Sequence, residues 1–237
     1  MFILIYGEDG TGKSTQCLDL ANTEPESAIY WSFAVKNRRL AKIYPDITSD
    51  ELVSLVTKPS GKLKMFDTDP YKTIDTFHAK VAEIVTTEPA PKFLIIDDVS
   101  QLREWATPCV IEAVNKTRKN RISTINKDDL DAWSKVNAYT YDYLETLANW
   151  AEANNVLILA IGRMKDLYVD NEYRGSTPAV KRNLMYLADV RIKLERSNGK
   201  YQAVFDKVQK GMGVSGDKVA LDESGLVAEL MVRGIIE

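Results

Sequence analysis

A glycine-rich segment close to the N-terminus constrains the fold of this chain more than any other feature of its sequence. Residues 7–14 read Gly-Glu-Asp-Gly-Thr-Gly-Lys-Ser, which is a complete G-x-x-x-x-G-K-[ST] pattern. The apolar run at residues 1–6 is typical of a buried strand, and residues 15–21 predict the first turns of a helix. A strand, a glycine loop and a helix in this order favour a phosphate-binding loop over an ordinary glycine turn.

The chemistry of such a loop gives its residues separate expected roles. Glycines let backbone N–H groups converge on phosphate oxygens, and the N-terminus of the following helix adds partial positive charge. We expect Lys13 to reach the β- and γ-phosphates of a nucleotide and the Ser14 hydroxyl to bind Mg²⁺. The residues expected to surround the phosphates are Gly7, Glu8, Asp9, Gly10, Thr11, Gly12, Lys13, Ser14 and Thr15.

A second part of the site is predicted by an apolar run that ends in two acids, Phe-Leu-Ile-Ile-Asp-Asp at residues 93–98. A strand that is buried on both faces delivers its terminal carboxylate to the sheet edge where the phosphate loop also lies. We therefore expect Asp97 to be a partner of Mg²⁺ through water. Asp98 either polarises the attacking water or caps the next segment.

Arg163 follows another predicted buried strand, whose apolar run begins at Val156. Hydrolysis of a nucleotide requires one group that orients water and another that stabilises charge on the phosphates. Arg163 is a candidate sensor of the γ-phosphate, and a solvated arginine after a strand is the alternative. Lys13, Asp98 and Arg163 are thus the predicted catalytic residues.

The order of elements predicts an α/β fold with a mostly parallel sheet, because strand patterns alternate with helical patterns. Residues 166–183 are polar and predict a loop, and Ser197-Asn198-Gly199 is a hairpin signal. No internal repeat is present, so we expect one domain over residues 1–237. The predicted strands are 2–6, 28–33, 64–66, 92–98, 156–161, 188–196 and 202–209, and the predicted helices are 15–21, 73–85, 128–154 and 222–236.

The net charge of −3 provides no overall basic field that would recruit nucleic acid. Any contact with DNA must therefore come from local basic segments. One is a predicted surface excursion at residues 115–128, and the other lies in the polar loop. Their basic residues could bind DNA phosphates, act as arginine fingers on a neighbouring subunit, or do neither. They are Lys116, Arg118, Lys119, Arg121, Arg174, Lys181 and Arg182.

The cysteines and the apolar runs bear on the compartment of the protein. Cys17 and Cys109 have no metal-binding spacing and suggest no disulfide framework, so we expect a reduced cytoplasmic setting. No run approaches about 18 apolar residues, so a membrane span is not expected. The N-terminal apolar run is too short for a secretory signal.

The phosphate loop resembles two known families. Gly-Glu-x-x-Thr-Gly-Lys-Ser at residues 7–14 resembles the RecA/RadA recombinases, and residues 9–16 also resemble the loop of thymidylate kinases. The Asp-Arg-aromatic motif of those kinases is not found in the sequence. A buried acidic strand with Asp97 84 residues after Lys13 (97 − 13), and a later strand that ends in Arg163, resemble the RecA-like core.

The resemblance extends to the short RecA-like ATPases of phages, archaeal viruses and plasmids, and it is specific only at residues 7–16 and 93–98. It implies a RecA-like P-loop NTPase core, with a mostly parallel central sheet flanked by helices and a C-terminal antiparallel hairpin. It also implies ATP and Mg²⁺ as ligands, a homo-oligomer, and a role in DNA recombination or single-strand annealing, with single-stranded DNA as partner.

Two departures from the family pattern qualify these expectations. The loop starts at residue 7, so the leading domain of RadA proteins is expected to be absent. The stretch 30–34, Tyr-Trp-Ser-Phe-Ala, stands where the catalytic glutamate of the family would be expected. Fast hydrolysis would then need Asp98, Asp67 or Asp69 as a substitute. The alternative functions are a nucleoside monophosphate kinase and a nucleotide-gated assembly factor with slow hydrolysis.

Overall fold

The computed structural model describes most of the chain and places it in one large sheet with helices on both faces. The described residues are 1–33, 38–60, 63–117, 121–169, 172–180, 182–197, 199–208, 215–221 and 225–236. Among the basic residues singled out above, Arg118, Lys119 and Lys181 lie outside these ranges.

The strands follow the chain in the order β1 to β11. They are β1 Phe2–Gly7, β2 Ala28–Ser32, β3 Thr48–Glu51, β4 Leu55–Ser60, β5 Leu63–Thr68, β6 Phe93–Asp97, β7 Leu157–Val169, β8 Glu172–Pro178, β9 Val190–Ser197, β10 Lys200–Lys207 and β11 Asp217–Leu221. The helices are α1 Lys13–Ala21, α2 Arg38–Ile43, α3 Pro70–Ile84, α4 Leu102–Asn115, α5 Leu130–Ala138, α6 Tyr141–Ala153, α7 Arg182–Leu187 and α8 Gly225–Val232.

The main sheet has the strand order β11-β10-β9-β1-β7-β6-β2-β3, with β8 paired to the far end of β7. The strands from β9 to β3 in this order are parallel, whereas β10 and β11 add antiparallel pairs. The expected fold class, including the C-terminal antiparallel hairpin of β9 and β10, is therefore confirmed.

The register of the central strands brings their carboxyl ends to one edge. Gly7 at the end of β1 lies opposite Arg163 of β7 and Leu194 of β9. Asp97 at the end of β6 lies opposite Ile161 of β7. The first residues of the phosphate loop, the acidic strand end and Arg163 are thus placed at the same level, as binding sites in open parallel sheets require.

The core is divided by the sheet into two apolar layers. Side chains alternate between the faces along each strand, so Leu4 of β1 packs in the layer beneath α3–α6, while Ile5 packs against α1 and α8. Every residue of β1 is buried, which explains why this strand is almost entirely apolar.

The predicted long helix over residues 128–154 is instead two helices, and that prediction was wrong. Asp129 caps α5 by accepting a hydrogen bond from the backbone of Ala132, so this helix begins at Leu130. The chain then breaks between α5 and α6 at Thr140, which has non-helical backbone angles and donates its hydroxyl to the Val136 carbonyl at 2.9 Å. Competition of this kind is why threonine is a weak helix former.

The predicted loop at residues 166–183 is also wrong. The strand β7 continues to Val169 and pairs with β8 in an antiparallel hairpin, and the helix α7 follows. Because this hairpin extends beyond the main sheet, several of its side chains are exposed and polar, which conceals the alternation that marks a half-buried strand.

Other differences concern elements that were not predicted and the ends of helices. The predicted strand at residues 64–66 belongs to β5, which pairs with β4 in a separate two-stranded hairpin. The elements β3, β4, β11, α2 and α4 were not predicted. Asp69 caps α3 through the backbone of Tyr71 and Lys72, so this helix starts at Pro70 rather than at residue 73.

Candidate functional site

The phosphate loop owes its backbone shape to glycines in the left-handed region. Gly10 has φ 78° and Gly12, which caps the N-terminus of α1, has φ 81°. Residues with a Cβ atom rarely adopt this conformation. The two glycines therefore turn the chain sharply from β1 into α1.

Gly7 is required for a different reason, which is close packing. A Cβ atom at this position would collide with the carbonyl oxygen of Leu194 on the neighbouring strand β9. The loop can start at this level of the sheet only if the first residue has no side chain.

The loop closes around Lys13, whose side chain is only 8% exposed. Its Nζ atom donates hydrogen bonds to the carbonyl oxygens of Gly7 at 2.8 Å and Glu8 at 2.7 Å. The hydroxyl of Thr11 also donates to the Glu8 carbonyl, at 2.8 Å. The charged amine is thus held at the centre of the loop by the groups that the loop itself supplies.

Asp97 is buried beside the first turn of α1. One of its carboxylate oxygens, Oδ2, accepts hydrogen bonds from the Ser14 hydroxyl at 2.6 Å and from the Tyr30 hydroxyl at 2.9 Å. Burial raises the pKa of Asp97, and these two hydrogen bonds oppose the rise. The predicted pair of Ser14 and Asp97 is therefore brought into direct contact.

Asp98 is equally buried but faces different partners. Its Oδ2 atom forms an ion pair with Nε of Arg163 at 2.5 Å. Its Oδ1 atom accepts from the backbone N–H of Ser100 at 2.8 Å and from the hydroxyl of the same residue. Oδ1 is thus hydrogen-bonded, whereas Oδ2 is ion-paired with Arg163 and accepts no hydrogen bond from the described residues. Asp98 also caps the short helical turn Val99–Gln101.

Arg163 is held at three points. Besides the ion pair with Asp98, its backbone N–H donates to the Ser100 hydroxyl oxygen at 3.0 Å. The third contact is made by the side-chain amide of Gln101. Its oxygen accepts a hydrogen bond from Nη1 of Arg163 at 3.2 Å, and its nitrogen donates to the carbonyl oxygen of Phe33 at 3.1 Å. The arginine thus connects the acidic strand end with the start of the β7–β8 hairpin.

A cavity of about 200 Å³ joins these groups. Its walls contain the carboxylates of Asp97 and Asp98, the guanidinium of Arg163 and most of the phosphate loop. The lining residues are Asp9, Gly10, Gly12, Lys13, Ser14, Thr15, Leu40, Asp97, Asp98, Ile161 and Arg163. Residues predicted from three separate stretches of sequence, the phosphate loop, the acidic strand end and Arg163, therefore line one cavity.

The donor atoms in this cavity fit Mg²⁺. A serine hydroxyl and a carboxylate are hard oxygen ligands, and Mg²⁺ is usually held by one or two carboxylates together with substrate phosphates. Among the described residues, no group of three or more His, Cys, Asp or Glu side chains could hold a metal ion by itself. The chemistry thus fits an ion that binds together with a nucleotide.

The two substitutes suggested for the missing glutamate do not line this cavity. Asp69 is used as the cap of α3, and Asp67 accepts a hydrogen bond from the backbone of Thr68. Within the described part of the chain, the carboxylates that line the cavity are those of Asp9, Asp97 and Asp98.

Four of the predicted basic residues are described, and Lys116, Arg121, Arg174 and Arg182 do not line this cavity. On the β7–β8 hairpin, Arg174 is exposed and pairs with Glu172 at 2.7 Å. Arg182 donates to the hydroxyl of Tyr186 at 2.9 Å and lies over its ring. The structure does not bring either one to the phosphate loop of the same chain.

Lys116 and Arg121 line a second cavity of about 500 Å³. The ring of Tyr71, which is 40% exposed, forms part of its wall. Asn115 fixes the base of this segment, because its side-chain amide exchanges two hydrogen bonds with the backbone of Ile122, at 2.8 and 2.9 Å. Lys116 and Arg121, the described ends of the basic segment 116–121 of the sequence, thus lie at one cavity.

Besides Leu40 and Ile161, which line the cavity, the sequence prediction missed three polar residues that contact the predicted site residues: Tyr30, Ser100 and Gln101. Tyr30 lies in an apolar strand and reads as a packing residue, so only the pairing of β2 with β6 reveals its contact. For Ser100 a weak signal exists, since a serine two residues after an aspartate is a common capping arrangement.

The fold and the site together define the class of this protein. A crystal structure of the RadB recombinase superimposes with a TM-score of 0.54 at 13% sequence identity, covering 94% of this chain and 88% of that chain. At this identity the likeness shows the fold alone. With the intact phosphate loop, it places the protein in the class of P-loop proteins with a RecA-like fold.

The particular family follows from the sequence. Residues 1–213 match a family model described as an AAA domain, and the chain belongs to that family. No curated protein matches the sequence. No described helix is long and apolar enough to cross a membrane.

Proposed function

We propose that this protein binds ATP together with Mg²⁺, hydrolyses it, and uses the nucleotide state to control a contact with single-stranded DNA in recombination or annealing. The single observation that carries the proposal is the cavity that combines the phosphate loop with Asp97, Asp98 and Arg163. The family and the fold support nucleotide binding by this class of protein.

Each part of the cavity has a role in phosphate chemistry. Lys13 would exchange the two loop carbonyls for β- and γ-phosphate oxygens, which accept more strongly because they are charged. Ser14 and Asp97 would hold Mg²⁺, and the bound ion would neutralise part of the negative charge of the phosphates. These residues would position the nucleotide and stabilise the negative charge that develops at the γ-phosphate in the transition state.

Arg163 and Asp98 form a unit in this proposal. The guanidinium of Arg163 is partly exposed at 36%, so it can reach a phosphate in the cavity while Asp98 orients it. A carboxylate whose two oxygens are already engaged is a poor base for water. We therefore assign Asp98 as a positioning residue and Arg163 as the group that stabilises charge.

The DNA contact is proposed for the basic segment 116–121 and the β7–β8 hairpin. At one cavity, Lys116 and Arg121 lie together with the exposed ring of Tyr71. Aromatic rings that stack on bases and cations that contact phosphates are the usual means of binding single strands. The exposure of Arg121 supports this part of the proposal, and the surface excursion at residues 115–128 stays a prediction.

The decisive experiment measures three quantities on the purified protein. We expect ATP to bind only weakly without Mg²⁺, phosphate release to require Mg²⁺, and a fluorescent single-stranded oligonucleotide to bind more tightly with a non-hydrolysable ATP analogue. The logarithm of DNA affinity should fall with the logarithm of salt by about 0.7 for each phosphate neutralised. Absent or salt-independent binding would remove DNA from the proposal.

A second candidate function is a nucleotide-gated switch with very slow hydrolysis. The ion pair and hydrogen bonds of Asp98 favour it, because the other carboxylates that line the described cavity are Asp9 of the phosphate loop and the proposed metal ligand Asp97. Single-turnover hydrolysis separates the two candidates. Tight ATP binding with turnover that DNA does not accelerate would favour the switch.

A further inference from the structure

A chain of buried hydroxyl groups leads from the end of β2 to the phosphate loop. The Ser32 side chain is hydrogen-bonded to the hydroxyl of Tyr30. The Tyr30 hydroxyl donates to Oδ2 of Asp97 at 2.9 Å, and the Ser14 hydroxyl donates to the same oxygen at 2.6 Å. Ser32, Tyr30 and Asp97 are 4%, 1% and 4% exposed, so water does not compete for these contacts.

The fold explains why these residues meet. The strands β2 and β6 are parallel neighbours, with Ser32 opposite Asp97 and Tyr30 opposite Ile95. Residues two apart on a strand point to the same face. Tyr30 is therefore level with Ile95, two residues before Asp97, on the face covered by α1. Its side chain extends along the sheet far enough for the hydroxyl to reach the Asp97 carboxylate.

A purely structural explanation of Tyr30 is that a buried phenol needs a hydrogen-bond acceptor. That explanation would be satisfied by any nearby carbonyl group. The acceptor here is instead the oxygen that also contacts Ser14, the residue expected to bind Mg²⁺. The phenol thus fixes the direction of the carboxylate at the point where a metal ligand must be oriented.

We propose that Tyr30 is a positioning residue for the metal site, which holds the Asp97 carboxylate in the orientation that Mg²⁺ requires. This inference rests on the proposed function, since it concerns the metal that would accompany the nucleotide. Groups that hydrogen-bond to metal ligands fix the orientation of those ligands, and their loss commonly weakens metal affinity by about 10- to 100-fold.

The test is the variant Tyr30→Phe, which removes one oxygen and keeps the ring in the core. Mn²⁺ is titrated into the protein bound to a non-hydrolysable ATP analogue, and free Mn²⁺ is followed by electron paramagnetic resonance. We expect Mn²⁺ to bind about 10- to 100-fold more weakly than in the wild type. Affinity for the analogue in EDTA should stay within a factor of about two, because the metal-free loop is untouched.

Tyr44→Phe is the matched control. Tyr44 also donates its hydroxyl to a carboxylate, Asp19, at 2.5 Å, and it packs in the same apolar layer as Tyr30. Asp19 does not line the cavity, so this variant should keep wild-type Mn²⁺ affinity. If Tyr30→Phe does not fold, Ser32→Ala replaces it, and we expect it to weaken Mn²⁺ binding in the same direction.

The outcomes separate the inference from the function on which it rests. Unchanged Mn²⁺ affinity in a folded Tyr30→Phe, or in Ser32→Ala when that variant replaces it, would overturn the inference alone. An equal loss of affinity with and without metal would also overturn it, since that result indicates a general defect of the loop. No metal-dependent nucleotide binding in the wild type would overturn the proposed function as well.

Discussion

At the scale of single residues, the contacts of Lys13 in the nucleotide-free loop already resemble those of its proposed role in phosphate binding. Its amine is already surrounded by oxygen atoms at 2.7 and 2.8 Å, so phosphate oxygens would replace partners of similar geometry but higher charge. The amine is therefore in place before any nucleotide arrives, and little reorganisation is needed.

We predict that Lys13→Ala weakens ATP binding by about 10- to 100-fold, because a charge-assisted hydrogen bond contributes roughly 1.5–3 kcal/mol. Titration of a fluorescent ATP analogue measures this effect. Lys92→Ala is the control, since Lys92 is exposed, pairs with Glu24 and lies outside the cavity. Wild-type affinity in a folded Lys13→Ala would contradict our assignment of the loop.

Asp97 illustrates a conflict between stability and function. Its pKa is raised by burial, so in the folded protein the charged form is disfavoured relative to the unfolded chain. The stability that its neutral form contributes is present at low pH and is lost as the pH rises through the raised pKa. A metal site needs the charged form of Asp97. At neutral pH, the ligand-free protein should therefore be less stable than a variant with a neutral side chain at this position.

We predict that Asp97→Asn raises the melting temperature of the ligand-free protein more at pH 7 than at pH 4, because the amide stays neutral. Each 1 kcal/mol corresponds to about 2–4 °C for a chain of this size. The same variant should lose most of the stabilisation that Mg²⁺ and ATP give the wild type. Differential scanning fluorimetry measures both effects, and an equal melting-temperature change at the two pH values would argue against this account.

At the scale of elements, the basic segment 116–121 combines a charge that the sequence shows directly with a contact that it does not show. The side-chain amide of Asn115, at the end of α4, is hydrogen-bonded to the backbone of Ile122, seven residues later, and Lys116 and Arg121 line one cavity.

We predict that Arg121→Gln lowers the salt slope of single-strand binding by about 0.7, the value for one lost phosphate contact. ATP affinity should not change, because Arg121 lines a separate cavity. The control is Lys127→Gln, an exposed basic residue of the same excursion that does not line that cavity. Equal slopes for both variants and the wild type would exclude Arg121 from the DNA contact.

The elements that were predicted correctly and those that were missed differ in where their contacts lie. The strand β6 could be recognised because it is buried on both faces and its signal is continuous. The hairpin of β7 and β8 could not, because its pairing is outside the main sheet and its side chains are largely polar. The periodic pattern of apolar residues arises from burial of one face of an element. This pattern is weaker where the element is only partly buried.

At the scale of the whole molecule, the proposals concern copies of the chain acting together. Assembly into a homo-oligomer and one domain over residues 1–237 stay predictions. Both described arginines have a partner: Arg174 pairs with Glu172 and Arg182 with Tyr186, but Arg174 lies on the exposed β7–β8 hairpin that continues from Arg163. We therefore favour Arg174 as the residue that would act on the nucleotide of a neighbouring copy.

We predict that hydrolysis per subunit rises with protein concentration as copies assemble, and that Arg174→Gln lowers it. A mixture of Lys13→Ala and Arg174→Gln should recover part of the activity that each lacks alone, because one supplies the arginine and the other the loop. Phosphate release and light scattering measure rate and mass. No recovery in a mixture that still assembles would show that Arg174 does not act between copies.

The sequence by itself determined the phosphate loop, the acidic end of β6 and the α/β class, because each rests on neighbouring residues whose spacing has one physical meaning. Tertiary structure alone decided what those groups contact. Strand register brought Tyr30 to Asp97 and Arg163 to Asp98, across separations of 67 and 65 residues (97 − 30 and 163 − 98). Such contacts depend on how the strands are ordered in the sheet, and no local pattern records that order.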